Sequence, residues 1–232
     1  CGTWSLFGTE NDQPVINTES VEANFTNEVG YGSTIRFLKN IMGLWLIQES
    51  RRQWKREGQD VSFNQLEQEA LASKPFVSFI DVDHPYFESP GNLPGNVVRY
   101  CKETGQQVPQ TRGEIMRCIY QSLAMKYRYT FENLQRLTGR KYHAIHVLGG
   151  GIKDGLLCRM TAAACGVEVL AGPAEATVTG NIAVQLMHLG EIKDLWQARK
   201  VIRDSVPVAS YQPENPEEWD AHYDQYLKAI GK

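Results

Sequence analysis

The sequence has no apolar run approaching the roughly 20 residues that cross a bilayer. It has five cysteines but no Cys-x-x-Cys pair, so a zinc site of the usual spacing is not expected. It carries no strong charge of either sign: 24 Lys and Arg against 27 Asp and Glu give a net charge of -3, which does not point to nucleic acid. No internal repeat or low-complexity segment is present. The dinucleotide spacing G-x-G-x-x-G and the phosphate loop G-x-x-x-x-G-K-[ST] are both missing. No signal peptide is recognised, so a reducing cytoplasm is the expected compartment and Asn24-Phe25-Thr26 is read as a chance glycosylation triplet. What remains is a mixed globular composition, 232 residues with 42% hydrophobic and 22% charged, enough for one large or two small cores.

Within that composition the stretch 146–181 is the most informative. Residues 142–148 read as a short buried strand, with Ile145, Val147 and Leu148 apolar. Gly149, Gly150 and Gly151 follow at once. Leu156, Leu157, Met160 and Ala164 then recur at helical spacing and Gly166 closes the helix. Residues 167–170 read as the next strand, and Pro173 is expected to open a helix that runs to Gly190. Strand, glycine turn, helix, strand, helix is the order of an α/β layer. A glycine turn lets backbone approach a ligand, and free N–H groups at a helix start can face phosphate oxygens. The pattern alone leaves a phosphate site and a plain tight connection equally open.

Elsewhere, residues 3–7 read as a strand. A chain that begins at Cys1 already in strand pattern is expected to be a piece of a longer polypeptide. Residues 35–55 read as one long helix with the apolar stripe Leu38, Ile41, Met42 and Trp45. Asn40 and Gln48 would share a face of it, about 12 Å apart at 1.5 Å rise per residue. Arg51, Arg52, Lys55 and Arg56 near its C-terminus suit the helix dipole better than a phosphate site. Residues 76–80 read as a strand. Asp81, Asp83 and His84 before Pro85 read as loop chemistry, not a metal site. Ser62 and Thr111 begin capping boxes, Asn92 starts a helix that Gly105 ends, Asp194 caps another, and Asn215-Pro216 opens the last. Ile115, Ile119, Leu123, Tyr127, Phe131 and Leu134 form a core stripe. His143 and His146 are read as structural. Residues 206–216 alone resemble a linker, and the chain is not divided there.

Several segments, in order, resemble the rhamnulokinase branch of the FGGY carbohydrate kinases. They are Cys1-Gly2-Thr3-Trp4-Ser5-Leu6, Phe25-Thr26-Asn27-Glu28, Leu38-Lys39-Asn40-Ile41-Met42-Gly43-Leu44-Trp45, Tyr100-Cys101-Lys102-Glu103-Thr104-Gly105-Gln106, Ser122-Leu123-Ala124, the glycine turn, and Ala171-Gly172-Pro173-Ala174-Glu175-Ala176-Thr177. The resemblance covers essentially the whole chain and implies that residues 1–232 are the family's C-terminal nucleotide-binding domain, the N-terminal sugar-binding domain lying outside them. It implies an α/β fold like the actin-like (ribonuclease H-like) ATPases, a mixed sheet flanked by helices. The implied reaction is transfer of the γ-phosphate of Mg2+-ATP to the 1-hydroxyl of L-rhamnulose. The implied nucleotide contacts are Gly2, Thr3, Gln48, Gly149, Gly150 and Gly151, and the implied sugar contact is Asn40. No catalytic residue and no metal ligand is expected from this chain, because the family's base is an Asp of the N-terminal portion. Asp154 stands where relatives often carry Asn, which leaves a nucleotide contact there in doubt. Relatives also carry cysteines at the positions of Cys101 and Cys118 that can pair, whereas Cys158 and Cys165 are expected to be buried thiols. Other readings are a kinase for a related ketose such as L-fuculose, or a non-catalytic module of ATPase fold used for interaction or regulation.

Overall fold

The computed structural model describes residues 2–232; Cys1 lies outside the described residues. The chain begins with strand β1 (Trp4–Asn11), a short helix α1 (Thr18–Glu22), β2 (Thr26–Val29) and β3 (Ile35–Met42). β3 is the centre of an antiparallel sheet, with β1 on one side and β2 on the other. The register sets Trp4 opposite Met42 and Leu6 opposite Asn40.

Residues 35–42 are therefore a strand, not the first half of a helix, and only α2 (Trp45–Arg56) is helical. The reason is physical. Phe37, Leu38, Ile41 and Met42 are all buried, so apolar residues fall on both faces of β3 and the period-two signature is lost. Leu38, Ile41, Met42 and Trp45 then imitate helical spacing, although two neighbouring strands take the backbone hydrogen bonds. Gly43 makes the joint between β3 and α2. A Cβ there would lie 2.6 Å from Ser5 Oγ and 2.8 Å from the Gly2 carbonyl oxygen.

Helix α3 (Phe63–Ala72) starts at Ser62, whose hydroxyl accepts the Gln65 N–H at 3.1 Å. Residues 76–80 are not a strand either. The N–H groups of Phe76, Phe79 and Ile80 donate to Gln121 Oε1, Gln106 Oε1 and Ser122 Oγ at 2.8, 2.8 and 2.9 Å. Side chains replace a ladder, and the buried backbone is satisfied without a neighbouring strand. Helix α4 (Leu93–Glu103) is capped by Asn92, and α5 (Arg112–Thr138) opens with the reciprocal Thr111–Glu114 box. The main core forms around α5, where Ile115, Ile119, Leu123 and Tyr127 are buried.

β4 (Ala144–Val147), α6 (Gly155–Cys165) and β5 (Glu168–Ala171) make a parallel crossover unit. Helix α7 (Ala176–His188) starts three residues after Pro173, and α8 (Leu195–Ser205) packs on it around Ala183, Ile192 and Ala198. The stretch that reads as a linker holds β6 (Ala209–Tyr211), antiparallel to β5, so the second sheet has mixed order β4-β5-β6. Helix α9 (Pro216–Ala229) closes the main core. Trp219 meets Phe76 edge to face at 5.1 Å, Tyr226 meets Phe79 at 5.7 Å, and Tyr100 Oη donates to the Ala229 carbonyl at 2.8 Å.

Candidate functional site

The joint at Gly43 gathers three of the residues singled out from the sequence. Gly43 N–H and Trp45 N–H both donate to the Thr3 carbonyl, at 3.0 and 3.3 Å, and Leu44 N–H donates to that of Gly2 at 2.9 Å. Gly2 and Thr3 are thus held on the first turn of α2. Gln48 stands on the same turn, its N–H donating to the Leu44 carbonyl at 2.9 Å. Thr3 is exposed and Gln48 half-buried. Asn40 is exposed on β3, opposite Leu6 on the same sheet face. Asn40 and Gln48 belong to different elements, so the single helix expected to run from one to the other does not exist.

The second part is the glycine turn after β4. Gly149 adopts φ 82°, a left-handed conformation that side chains rarely take. Its N–H donates to the Pro173 carbonyl at 3.1 Å, while Gly172 N–H donates to Val147 at 2.9 Å, so the turn is clamped to the end of β5. The N–H groups of Gly150 and Gly151 have no acceptor among the described residues. Gly150 is exposed and Gly151 buried. A cavity of about 130 Å³ lies between β1 and β4, lined by Ser5, Leu6 and Phe7 on one side and Val147, Leu148 and Gly151 on the other. Cys158 also lines it, and burial pushes its thiol up to about 11, so the sulfur is protonated at neutral pH and no nucleophile. Of the expected nucleotide contacts, Gly151 lines this cavity, whereas Gly2, Thr3, Gln48, Gly149 and Gly150 do not.

A family model described as the FGGY family of carbohydrate kinases, C-terminal domain, matches residues 1–189. The chain belongs to the FGGY family of carbohydrate kinases. It is 44% identical over 229 residues to the rhamnulokinase of Bacteroides thetaiotaomicron, covering 99% of this chain and 46% of that protein. To the rhamnulokinase of Bacillus subtilis it is 42% identical over 214 residues, covering 92% and 44%. The chain thus spans just under half the length of these relatives. Among solved structures it resembles ligand-bound xylulose kinase from Lactobacillus acidophilus, at TM-score 0.72 and 14% identity over 98% of this chain and 45% of that one. It also resembles Plasmodium falciparum glycerol kinase with ADP, at TM-score 0.66 and 12% identity over 97% and 44%. The fold is the α/β actin-like ATPase fold of these sugar kinases.

In this FGGY chain the carboxylates that sequence reasoning raised are engaged structurally. Lys126 Nζ lies 2.9 Å from Asp81 Oδ1 and 2.8 Å from Asp83 Oδ2. Burial would lower the Lys126 pKa, but the two aspartates outweigh it and hold it above its ordinary value. Asp154 caps α6: Oδ1 accepts Leu157 N–H at 3.0 Å and Oδ2 accepts Tyr120 Oη–H at 3.0 Å. Burial raises the Asp154 pKa despite both bonds. Among the described residues, no three His, Cys, Asp or Glu side chains converge on a cation site. The basic cluster on α2 is structural, with Arg52 and Arg56 on Glu49 and Arg51 and Lys55 on Asp60. Cys101 and Cys118 are free thiols; the hydrogen bond from Cys118 lowers the Cys101 pKa, and the same bond, with burial, raises that of Cys118. Cys158 is buried and Cys165 half-buried. Sequence reasoning weighed Asp81 and Asp83 but missed Lys126. Its one signal is a lone lysine inside the apolar stretch 115–134 of α5.

Proposed function

We propose that the chain is the C-terminal, nucleotide-binding half of a cytoplasmic rhamnulokinase, which transfers the γ-phosphate of ATP to the 1-hydroxyl of L-rhamnulose. The observation that carries this reading is the glycine turn, where the Gly150 and Gly151 N–H groups have no acceptor among the described residues and Gly151 lines the cavity that β1 also lines. Phosphoryl transfer depends mainly on positioning and on neutralising charge. Gly149, Gly150 and Gly151 would hold phosphate oxygens through backbone N–H groups, with Gly2 and the Thr3 hydroxyl as the facing contacts and Gln48 as a further nucleotide contact. Asn40 would contact the sugar. The 39–46% identity to several bacterial rhamnulokinases favours L-rhamnulose as the ketose.

Mg2+ fits this chain only as a partner of the nucleotide. It would be held through the nucleotide rather than by this chain's carboxylates, and when bound would supply charge neutralisation. The base fits the other half of the protein, because Asp81 and Asp83 are paired with Lys126 and Asp154 caps α6. Trp4 and Leu6, on one face of β1 and 51% and 52% exposed, suit coverage by that half. The test is an assay coupled to ADP release, with ATP and L-rhamnulose, on this chain and on the full-length protein. Losing a base typically costs about 10²–10⁴-fold, and losing the closed site costs more. Turnover by the 232-residue chain within about tenfold of the full-length protein would refute the assignment.

A further inference from the structure

The ion cluster of buried Lys126 on α5 with the half-buried Asp81 and Asp83 touches the joint that holds Gly2 and Thr3. β2 starts at Thr26, opposite Leu38, so over its last four residues β3 has a strand only on the β1 side and its other edge is open. The Met42 N–H on that open side donates to Asp83 Oδ1 at 2.9 Å. The other oxygen of the same carboxylate meets Lys126 Nζ, whose side chain is only 6% exposed. Lys126 is fixed in turn by Asp81, and Asp81 Oδ1 also accepts the Asp83 N–H at 3.2 Å. The residues after Met42 carry the N–H groups that hold Gly2 and Thr3. A continuous set of bonds therefore runs from the centre of α5, through Asp83 and Met42, to the Gly2-Thr3 backbone.

We infer that Asp83, locked by Lys126, is a positioning residue for the phosphate-contacting Gly2-Thr3 turn; this rests on the kinase reading above. Asp83 touches neither nucleotide nor sugar. It sets where β3 ends, and with it the three N–H groups that seat the turn. A charge pair with its ammonium buried suits this task, because the half-buried carboxylate has one low-energy place beside that ammonium and the backbone N–H is bound where that place lies.

The experiment uses the full-length protein with Asp83→Ala, Asp83→Asn and Asp81→Asn. Asp83→Ala removes both bonds. The expected result is a 10- to 100-fold loss in kcat/KM for ATP, the scale of a small misplacement in a reacting site, with KM for L-rhamnulose unchanged. Asp83→Asn keeps an oxygen for Met42 and is expected to recover part of the loss. It also serves if the alanine variant fails to fold. Asp81→Asn disturbs the same lysine but leaves Asp83 on Met42, so it should lower the melting temperature while leaving the ATP parameters as they were. Hydrogen exchange of the peptide spanning 42–45 should quicken in the Asp83 variants and not in Asp81→Asn. Parental ATP kinetics and parental exchange in both Asp83 variants, or equal losses in the Asp81 and Asp83 variants, would overturn the inference. Absent ADP release by the unmodified protein would sink the kinase reading instead, and the exchange comparison would still decide whether Asp83 seats the turn.

Discussion

Gly43→Ala tests the close approach at the joint. Gly43 is not in the left-handed region, so space alone forbids the methyl group. The added Cβ would sit 2.6 Å from Ser5 Oγ and 2.8 Å from the Gly2 oxygen, where ordinary contact begins at 3.4 Å, so neighbours must give by about 0.6–0.8 Å. Neither neighbour gives easily. Ser5 Oγ is 2.6 Å from Tyr127 Oη, and the Gly2 oxygen accepts Leu44 N–H. Overpacking of this kind destabilises by about 1–3 kcal/mol. At about 2–4 °C per kcal/mol for a domain of this size, the melting temperature should fall by roughly 2–12 °C. The displacement also falls on Gly2 and Thr3, so in the full-length protein KM for ATP should rise while KM for the ketose does not. Thermal unfolding followed by circular dichroism reads the first effect and ADP-release kinetics the second. A melting temperature within roughly 1 °C of the parent, with unchanged KM for ATP, would refute the reasoning.

Glu49→Gln should remove an acid-labile contribution. Glu49 is 2% exposed; burial raises its pKa, but Arg56, the Gly91 N–H and Arg52 outweigh this and hold it below the ordinary carboxylate value. A lowered folded-state pKa means stability that is present above the unfolded value and lost as pH falls through the folded one. The variant should lose about 1–2 kcal/mol at neutral pH, its half-exposed arginines being partly screened, and show a flatter acid limb in urea unfolding. Parallel stability curves from pH 7 down to about 3 count against this. Gln121→Leu deletes the acceptor of the Phe76 N–H and leaves a buried donor unpaired. A loss of about 1–3 kcal/mol should appear as a lower urea midpoint at unchanged slope, and an unmoved midpoint disproves the role.

Local signals in the sequence located most helix starts. Ser62, Asn92, Thr111 and Asp194 each accept the N–H three residues on, because a cap is decided within one turn. The errors lie where tertiary contacts decide. β3 reads as a helix because its burial on two faces erases alternation. Residues 76–80 read as a strand because Phe76, Val77, Phe79 and Ile80 fit one, yet their partners are Gln106, Gln121 and Ser122 from elsewhere in the chain. β6 is three residues long and carries no periodicity to read. At the candidate site, Gly2, Thr3 and Gln48 came from resemblance to a family, which also decided between the two readings that the glycine turn left open. No local pattern could show that Gly43, Leu44 and Trp45 seat the first two, or that Lys126 stands behind the joint, since Lys126 and Met42 are brought together only by the fold.

The placing of α9 has a consequence for how the protein is made. Phe76 and Phe79 are synthesised well before the rings that complete their packing, Trp219 and Tyr226. Between Phe79 and Tyr226 the ribosome must add 147 residues (226 minus 79), which takes roughly 7–30 s at about 5–20 residues per second. Throughout that interval the nascent core stays open on the side that α9 later covers, with aromatic rings facing solvent or whatever chaperone attends the chain. The packing of Phe76 and Phe79 is thus completed only after α9 has been translated. Stalling just before codon 216 should leave a compact but sticky intermediate, protease-sensitive near residues 76–80.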